Sequence, residues 1–266
     1  MAKVDIKEEL AVQAAATGED NNESVKLTRG MSIQDMVKAM MPEIKKALPS
    51  VITPERFTRI ALSALNNTPA LKQCTPISFL AALMNAAQLG LEPNTPLGQA
   101  YLIPYKNKGQ LEVQFQVGYK GLIDLAYRNG QMQTIQAQAV YENDQFEYEY
   151  GLEPKLIHRP AYSDRGEVVY FYGIFRTVNG GFGFSVMSKA DMDQYARTYS
   201  KAFESSYSPW KINFEEMAKK TVIKQALKYA PIRTDFQRAL SMDETIKKEI
   251  AEDMFAVQNE EIEMVA

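Results

Sequence analysis

Basic side chains at a regular spacing are the residues of this sequence best suited to hold a ligand. Lys220, Lys224 and Lys228 recur every four residues, so they share one face if the stretch is helical. Residues 208–234 begin with Ser-Pro, which favours a helix start, and contain no breaker before Pro231. A row of ammonium groups can bind the phosphates of a nucleic acid, but the solvated face of an ordinary amphipathic helix has the same pattern. Spacing alone leaves both interpretations open.

Further basic side chains fall in predicted turns and helices of the same half of the chain. They occur close in sequence to tyrosine and tryptophan residues. Cationic and aromatic groups together are the contacts that single-strand nucleic-acid binders use, although aromatic residues also fill protein cores. The basic residues concerned are Lys106, Lys108, Lys120, Arg128, Arg197 and Lys201.

Motifs for catalysis are scarce. The chain has no Gly-x-x-x-x-Gly-Lys-Ser/Thr loop for a nucleotide, and its one histidine, His158, cannot form a His-pair metal site. The acidic cluster at 142–153 could hold Mg²⁺ through carboxylate oxygens, so a metal-dependent nucleic-acid enzyme stays open as the alternative. Its residues lie among tyrosines, where solvated strand and turn positions are expected. We therefore predict a protein that is not an enzyme and that uses no cofactor and no metal.

Charge is segregated along the chain. Residues 1–25 carry 2 basic and 6 acidic side chains, residues 241–266 carry 2 and 8, and residues 26–240 carry 26 and 19. A basic body with acidic ends suits phosphate binding, with tails that solubilise the body or compete for its groove. No apolar run approaches the length of about 18 residues that spans a bilayer, so we expect a cytoplasmic protein without a membrane partner.

Helix-start signals and residue periodicity divide the chain into four parts. Residues 1–30 are polar and predict a flexible arm. Residues 31–90 contain three capped helix starts and predict a helical lobe. Residues 91–240 predict an α+β body, and residues 241–266 an acidic, mobile tail. The predicted strands are 100–105, 111–117, 134–141, 145–150, 155–159, 167–178 and 181–186, and the predicted helices of the body are 119–128, 188–203 and 208–230.

Two long stretches resemble a known family. GLEPNTPLGQAYLIPYKNKGQLEVQFQVGYKGLIDLAYRNG, residues 90–130, and SPWKINFEEMAKKTVIKQALKYAPI, residues 208–232, are similar to the two signatures of the RecT family of phage single-strand annealing proteins. The likeness extends from about residue 30 to residue 240, and it is greatest to RecT proteins of prophages in Gram-positive bacteria. The tails diverge most.

The resemblance implies a fold and an activity. The fold is a small antiparallel sheet with helices and a β-β-β-α core, and residues 31–240 would bind DNA and form oligomers. The activity is ATP-independent annealing of single-stranded DNA to a complementary strand, by a homo-oligomer that forms rings or helical filaments in the cytoplasm of a bacterial host. The implied partners are single-stranded DNA, the annealed duplex intermediate, a 5′→3′ exonuclease and the host single-strand-binding protein.

Annealing needs no catalytic residue, because base pairing supplies the driving force once the phosphates of the two strands are neutralised. The protein should therefore grip phosphate and sugar and leave the base edges exposed. The expected phosphate ligands are Lys120, Arg128, Lys220, Lys224 and Lys228; the expected turn-tip contacts are Lys106 and Lys108; the expected opposite wall is Arg197 and Lys201; and the expected neutral contacts are Gln116 and Ser200.

Overall fold

Helices fill the first part of the chain in the computed structural model, which describes residues 30–200, 203–204, 208–231 and 234–262. The residue types at their ends explain where they begin and stop. Ser32 and Thr53 accept hydrogen bonds from backbone amides three residues on, and Gly90 ends its helix in the left-handed conformation with φ 58°. The helices are α1 (Ile33–Ala39), α2 (Met41–Ala47), α3 (Pro54–Asn67), a 3₁₀ turn (Pro69–Gln73) and α4 (Pro76–Leu89).

A tight hairpin follows the helical lobe. Strands β1 (Ala100–Asn107) and β2 (Gln110–Val117) pair antiparallel. The two residues between them, Lys108 and Gly109, have φ values of 48° and 80°. Positive φ at both turn positions matches the twist of paired strands. The hairpin was predicted, but its turn has two residues and not the four that the sequence indicated.

Helix α5 (Tyr119–Tyr127) packs closely under the base of this hairpin. Gly118 and Gly121 allow that approach, because a Cβ atom at either position would collide with the backbone carbonyl oxygens of Gly98 or Gln99. The irregular segment before β1 is thereby held against the start of α5.

The second layer is built from β3 (Met132–Tyr141), β6 (Val168–Thr177) and β7 (Phe182–Ser188), an antiparallel sheet in the order β3-β6-β7. Strands β4 (Gln145–Glu149) and β5 (Lys155–Arg159) form a separate hairpin. Helix α6 (Lys189–Tyr199) begins at the predicted cap, where Ser188 accepts from the Asp191 amide. It ends at Tyr199 and does not reach residue 203 as predicted.

The predicted helix 208–230 is instead three pieces. They are α7 (Pro209–Ile212), α8 (Phe214–Ala226) and a 3₁₀ turn (Leu227–Tyr229), followed by α9 (Thr234–Met242). The first break is at Asn213, whose backbone leaves the helical region at φ −135° and ψ 53°. The helical stretch ends at Ala230, after the 3₁₀ turn, and this residue is extended because it precedes Pro231. Lys228 therefore lies on the 3₁₀ turn and not on the helix of the other two lysines.

Helix α8 joins the two layers. It packs across the sheet so closely that a Cβ atom on Gly173 of β6 would lie 2.7 Å from the carbonyl oxygen of Val222. Its apolar side chains enter both buried clusters, Ile223 with the helical lobe and Val222 with the sheet and α6. The predicted α+β class with small antiparallel sheets is confirmed. Within the described ranges, no helix is both long and apolar enough to cross a bilayer.

We name residues 243–262 the C-terminal strap. The strap packs against the body, whereas the sequence predicted a mobile tail. Thr245 exchanges two backbone hydrogen bonds with Phe115 of β2, at 2.9 and 3.3 Å. Ile246 and Met254 are fully buried. The acidic charge of the segment predicted detachment, but these apolar side chains and the free edge of β2 hold it in place.

Candidate nucleic-acid interface

A cleft separates the β1–β2 hairpin from the end of α6 and the start of α7–α8. Two cavities of about 260 and 340 Å³ lie along it, the first toward the hairpin tip and the second toward the hairpin base. Gln116, Pro209 and Met217 line both cavities. A third cavity of about 210 Å³ extends between α6 and α8 past Lys220 and Lys224. The three cavities share Met217 as a lining residue and have polar, aromatic and cationic side chains on their walls.

Lys220 is at the bottom of this cleft but is not exposed as the helical pattern indicated. Its side chain is 3% exposed. The ammonium lies 2.7 Å from a carboxylate oxygen of Asp243 and 3.2 Å from one of Glu244. Burial opposes the charge of Lys220, but Asp243 and Glu244 outweigh burial and raise its pKa above the ordinary lysine value. A buried ammonium is therefore held charged by two strap carboxylates.

Lys224 and Lys228 differ from Lys220 in exposure. Lys224, one turn further along α8, is half-buried and lies 3.4 Å from the same Asp243 carboxylate. Lys228 is exposed. It lies beyond the end of α8 and does not line any of the cleft cavities described above. The structure brings Lys220 and Lys224 to one site and places Lys228 outside it.

Lysines lie at both ends of the cleft, on the hairpin tip and on α5. Lys106 and Lys108 are exposed at the tip, where Lys108 forms a 2.9 Å ion pair with Glu260 of the strap. That hydrogen bond raises the pKa of Lys108 and lowers that of Glu260. At the base, Lys120 is exposed in the first turn of α5 with its ammonium 5.9 Å from the Tyr119 ring centroid. The expected turn-tip lysines are thus at one end and Lys120 at the other.

The two neutral candidates both line the cleft. Gln116 is 5% exposed, and its amide nitrogen lies 3.5 Å from the Met217 sulfur. Ser200 follows the last residue of α6 and lines the two cavities on the tip side. Both are in reach of the groove, Gln116 from the hairpin wall and Ser200 from the helical wall.

Arg128 is engaged within the fold. Its guanidinium donates to the carbonyl oxygens of Leu89 and Gly90 at 2.6 and 2.8 Å, and it pairs with Asp124 one turn earlier. The carbonyl end of α4 carries partial negative charge, which a cation satisfies. Three of its donated hydrogen bonds thus go to the protein itself, and the residue ties α5 to α4.

The expected opposite wall is described in part. Arg197 is largely exposed on α6, 3.3 Å from Glu204 and with its guanidinium 4.7 Å from the Phe203 ring centroid. Lys201 lies outside the described residues, so the structure does not place it. Arg197 borders the cleft only through its neighbours Tyr199 and Ser200, which do line it.

Several cleft residues were not predicted. Tyr105 and Gln114 of the hairpin line the tip side, and Tyr101 lines the base side. Strand alternation could have found Gln114, because it shares a face with Gln116. Trp210 lines the cleft with one edge while 5% exposed, and it packs on Tyr195 and Phe214 at 6.4 and 5.7 Å.

Within the acidic cluster at 142–153, Asp144 has a structural role, whereas Glu147, Glu149 and Glu153 are exposed. Asp144 is fully buried and accepts from the guanidinium of Arg165 at 2.6 and 3.0 Å. It also accepts from the amides of Tyr141 and Ala161 and lies 3.0 Å from the His158 ring. Within the described ranges, no group of three His, Cys, Asp or Glu side chains is arranged to hold a metal ion.

The comparisons with known proteins agree on one family. The model of the RecT family matches residues 55–257. The chain is 43% identical over 210 residues to Protein RecT of Escherichia coli (strain K12), covering 77% of each chain. It is 30% identical over 197 residues to the uncharacterized protein YqaK of Bacillus subtilis (strain 168), covering 73% of this chain and 66% of the relative.

The chain belongs to the RecT family. Membership makes it a single-strand annealing protein of DNA recombination and confirms the family that the two signatures indicated. The RecT match runs through every element that forms the cleft and through most of the strap, whereas α1 and α2 precede it. The Gram-positive source stays a prediction, and of these two relatives the Escherichia coli RecT is the more similar.

Proposed function

We propose that the cleft is where this RecT protein holds single-stranded DNA by its phosphates while a complementary strand pairs with it. The observation that carries the proposal is that the fold brings Gln116, Ser200, Lys220 and Lys224 to one groove. These residues come from β2, the end of α6 and α8. Lys108 and Lys120 extend the positive charge to the two ends of the hairpin.

Phosphate contacts explain how such a protein works without nucleotide or metal. Two DNA strands repel each other through their backbones, and lysines that neutralise the phosphates lower that barrier. Pairing also requires exposed base edges, so the cleft should contact phosphate and sugar and leave the pairing edges of the bases free. The tyrosines Tyr101, Tyr105 and Tyr199 at the cleft supply planar surfaces on which bases can stack regardless of sequence.

The active form we propose is a homo-oligomer, a ring or a helical filament, in which neighbouring clefts form a continuous track for the DNA. It acts with a 5′→3′ exonuclease that exposes the single strand, and with the host single-strand-binding protein, in the bacterial cytoplasm. Residues 31–240 would carry both DNA binding and oligomer contacts. These proposals follow from the family and not from a partner seen in the structure.

The test is annealing of complementary fluorescent oligonucleotides in EDTA without nucleotide. The expected result is pairing that is faster with protein than without. Pairing no faster than the protein-free control would contradict the proposal. Loss of labelled DNA when Mg²⁺ is added would instead revive the metal-dependent alternative.

Paired variants distinguish the effect of the cleft lysines on annealing from the effect of the overall positive charge. Lys120→Gln with Lys224→Gln removes one cation at the base end of the cleft and one inside it, without touching the buried Lys220. Lys45→Gln with Lys155→Gln removes two exposed cations elsewhere, on α2 and β5. We expect the cleft pair to slow annealing by about tenfold and the control pair to leave it within about twofold. Equal slowing by both pairs would place the DNA elsewhere.

A further inference from the structure

The strap places carboxylates on the lysines of the proposed DNA site. Glu244 lies 3.2 Å from Lys220 at the bottom of the cleft, and Glu260 lies 2.9 Å from Lys108 at the hairpin tip. A carboxylate oxygen on an ammonium occupies the position that a phosphate oxygen would take. The strap thus fills, with the protein's own anions, the contacts that DNA needs.

The strap also forms a wall of the cavity nearest the tip. Glu244, Thr245, Asn259 and Glu260 line that cavity opposite Gln114 and Gln116. Backbone contacts fix the position, because Gln114 donates its amide to the Glu244 carbonyl at 3.2 Å. A DNA strand that lay along the hairpin side of the cleft would collide with this segment.

The strap is attached by a fixed anchor, by charged contacts and by the buried side chains of Ile246 and Met254, which displacement must also release. Asp243 is buried and bonds Lys220, Lys224 and the Val117 amide, so it belongs to the body. After Thr245 the strap loops out and returns, with the Glu260 amide bonded to the Ile246 carbonyl at 2.8 Å. Its outer part, residues 256–262, holds the hairpin through Lys108, whose ion pair is half-exposed. Half-exposed ion pairs are individually weak and are screened by salt.

We propose that residues 244–262 are an intramolecular competitor that single-stranded DNA must displace from the cleft. The inference rests on the function proposed above. Displacement exchanges carboxylates for phosphates on the same lysines, while Asp243 stays in place as the hinge. Residues 244–262 contain six acidic and two basic side chains. Such a segment would favour the binding of long DNA strands, whose many phosphates outcompete it, over short ones.

The test uses the full chain with Glu244→Gln and Glu260→Gln, which remove the competing charges and keep the buried Ile246 and Met254. The control, Glu149→Gln with Glu153→Gln, changes the net charge equally at exposed positions outside the strap. The probe is a labelled oligothymidine. We expect the strap variant to bind it about three- to tenfold more tightly than wild type and the control to stay within about twofold. Equal tightening by both variants would overturn the proposal.

Hydrogen exchange supplies an independent readout on the wild-type protein. The amides of Thr245 and Glu260, both bonded in the strap, should exchange faster when the oligothymidine is bound, while amides of β6 should not. Strap amides that stay as protected with DNA bound as without it would overturn the displacement. If neither wild type nor variant binds DNA at low salt, the proposed function fails, and the competitor role fails with it.

Discussion

Two charged clusters in this protein look alike in composition but differ in where the opposite charge comes from. Around Asp144 the partners are Arg165, His158 and two backbone amides, all within 21 residues of it. At the cleft the partners of Lys220 and Lys108 come from the strap, 23 to 152 residues away. The Asp144 cluster is thus formed by residues that are near one another in sequence, whereas the cleft cluster joins the body to the C-terminal strap.

The difference indicates which cluster can take a ligand. The polar contacts of Asp144 are made by groups between Tyr141 and Arg165, so a ligand there would leave a buried charge unpaired. Lys108 is partly exposed and paired with the strap carboxylate of Glu260, for which a phosphate can substitute. Local, buried pairing indicates a structural role, and exposed pairing to a distant segment indicates an exchangeable one.

The largest expected effect is a loss of stability when the Asp144 cluster is changed. Asp144→Asn should lower the free energy of unfolding by about 3 kcal/mol, because it leaves the Arg165 guanidinium and the buried amides without a carboxylate. Asp164→Asn is the matched control in the same region, since its φ of 48° suits asparagine. Denaturant unfolding measures both. A loss from Asp144→Asn no larger than that from the control would remove the distinction between the clusters.

The same cluster predicts a pH dependence. Hydrogen bonds from Arg165, with smaller contributions from His158 and two amides, lower the pKa of Asp144 well below the ordinary aspartate value. A lowered pKa in the folded protein stabilises it fully above the unfolded value of about 4, and this stabilisation is lost as pH falls further. The stability gap between wild type and Asp144→Asn should therefore be constant from neutral pH to about 5 and shrink below about 4. Unfolding curves at several pH values check this, and a gap that widens in acid contradicts it.

A smaller loss is expected from Lys220→Met at the cleft. Asp243 would keep Lys224 and the Val117 amide as partners, so we expect a cost of about 1 to 3 kcal/mol. Adding Asp243→Asn to Lys220→Met should cost less than the sum of the two single changes, because the pair is coupled. Additive losses in this double-mutant cycle would show that the ion pair contributes nothing.

The smallest expected effect is at the hairpin tip. Lys108→Asn removes the Glu260 ion pair but places asparagine at a φ of 48°, which it tolerates well. Stability against denaturant should stay close to that of wild type, while the salt dependence of single-strand binding should become less steep. Unchanged salt dependence would place Lys108 outside the DNA contacts.

The sequence predicted the elements of this fold better than the contacts between them. The β1–β2 hairpin follows from the alternation of Leu111, Val113 and Phe115, and the helix starts follow from their capping residues. Both are local signals. The break at Asn213 was missed because no proline or glycine marks it.

The candidate site shows the same limit. Helical spacing correctly put Lys220 and Lys224 on one face, but it could not show that Asp243, on another element, buries that face. Arg128 was expected at DNA and instead binds the carbonyl end of α4, a contact between segments 38 and 39 residues apart. Ile246 and Met254 were the available signal for a packed strap, and the surrounding acidic residues obscured it.

The most direct test of the central claim is the salt dependence of single-strand binding. Each single-strand phosphate that is neutralised contributes about −0.7 to the slope of log K against log salt. Lys120→Gln with Lys224→Gln should therefore reduce the slope by about 1.4, and Lys45→Gln with Lys155→Gln should leave it unchanged. A wild-type slope retained by the cleft variant, or lost equally by the control, would contradict the account of the cleft as the phosphate site.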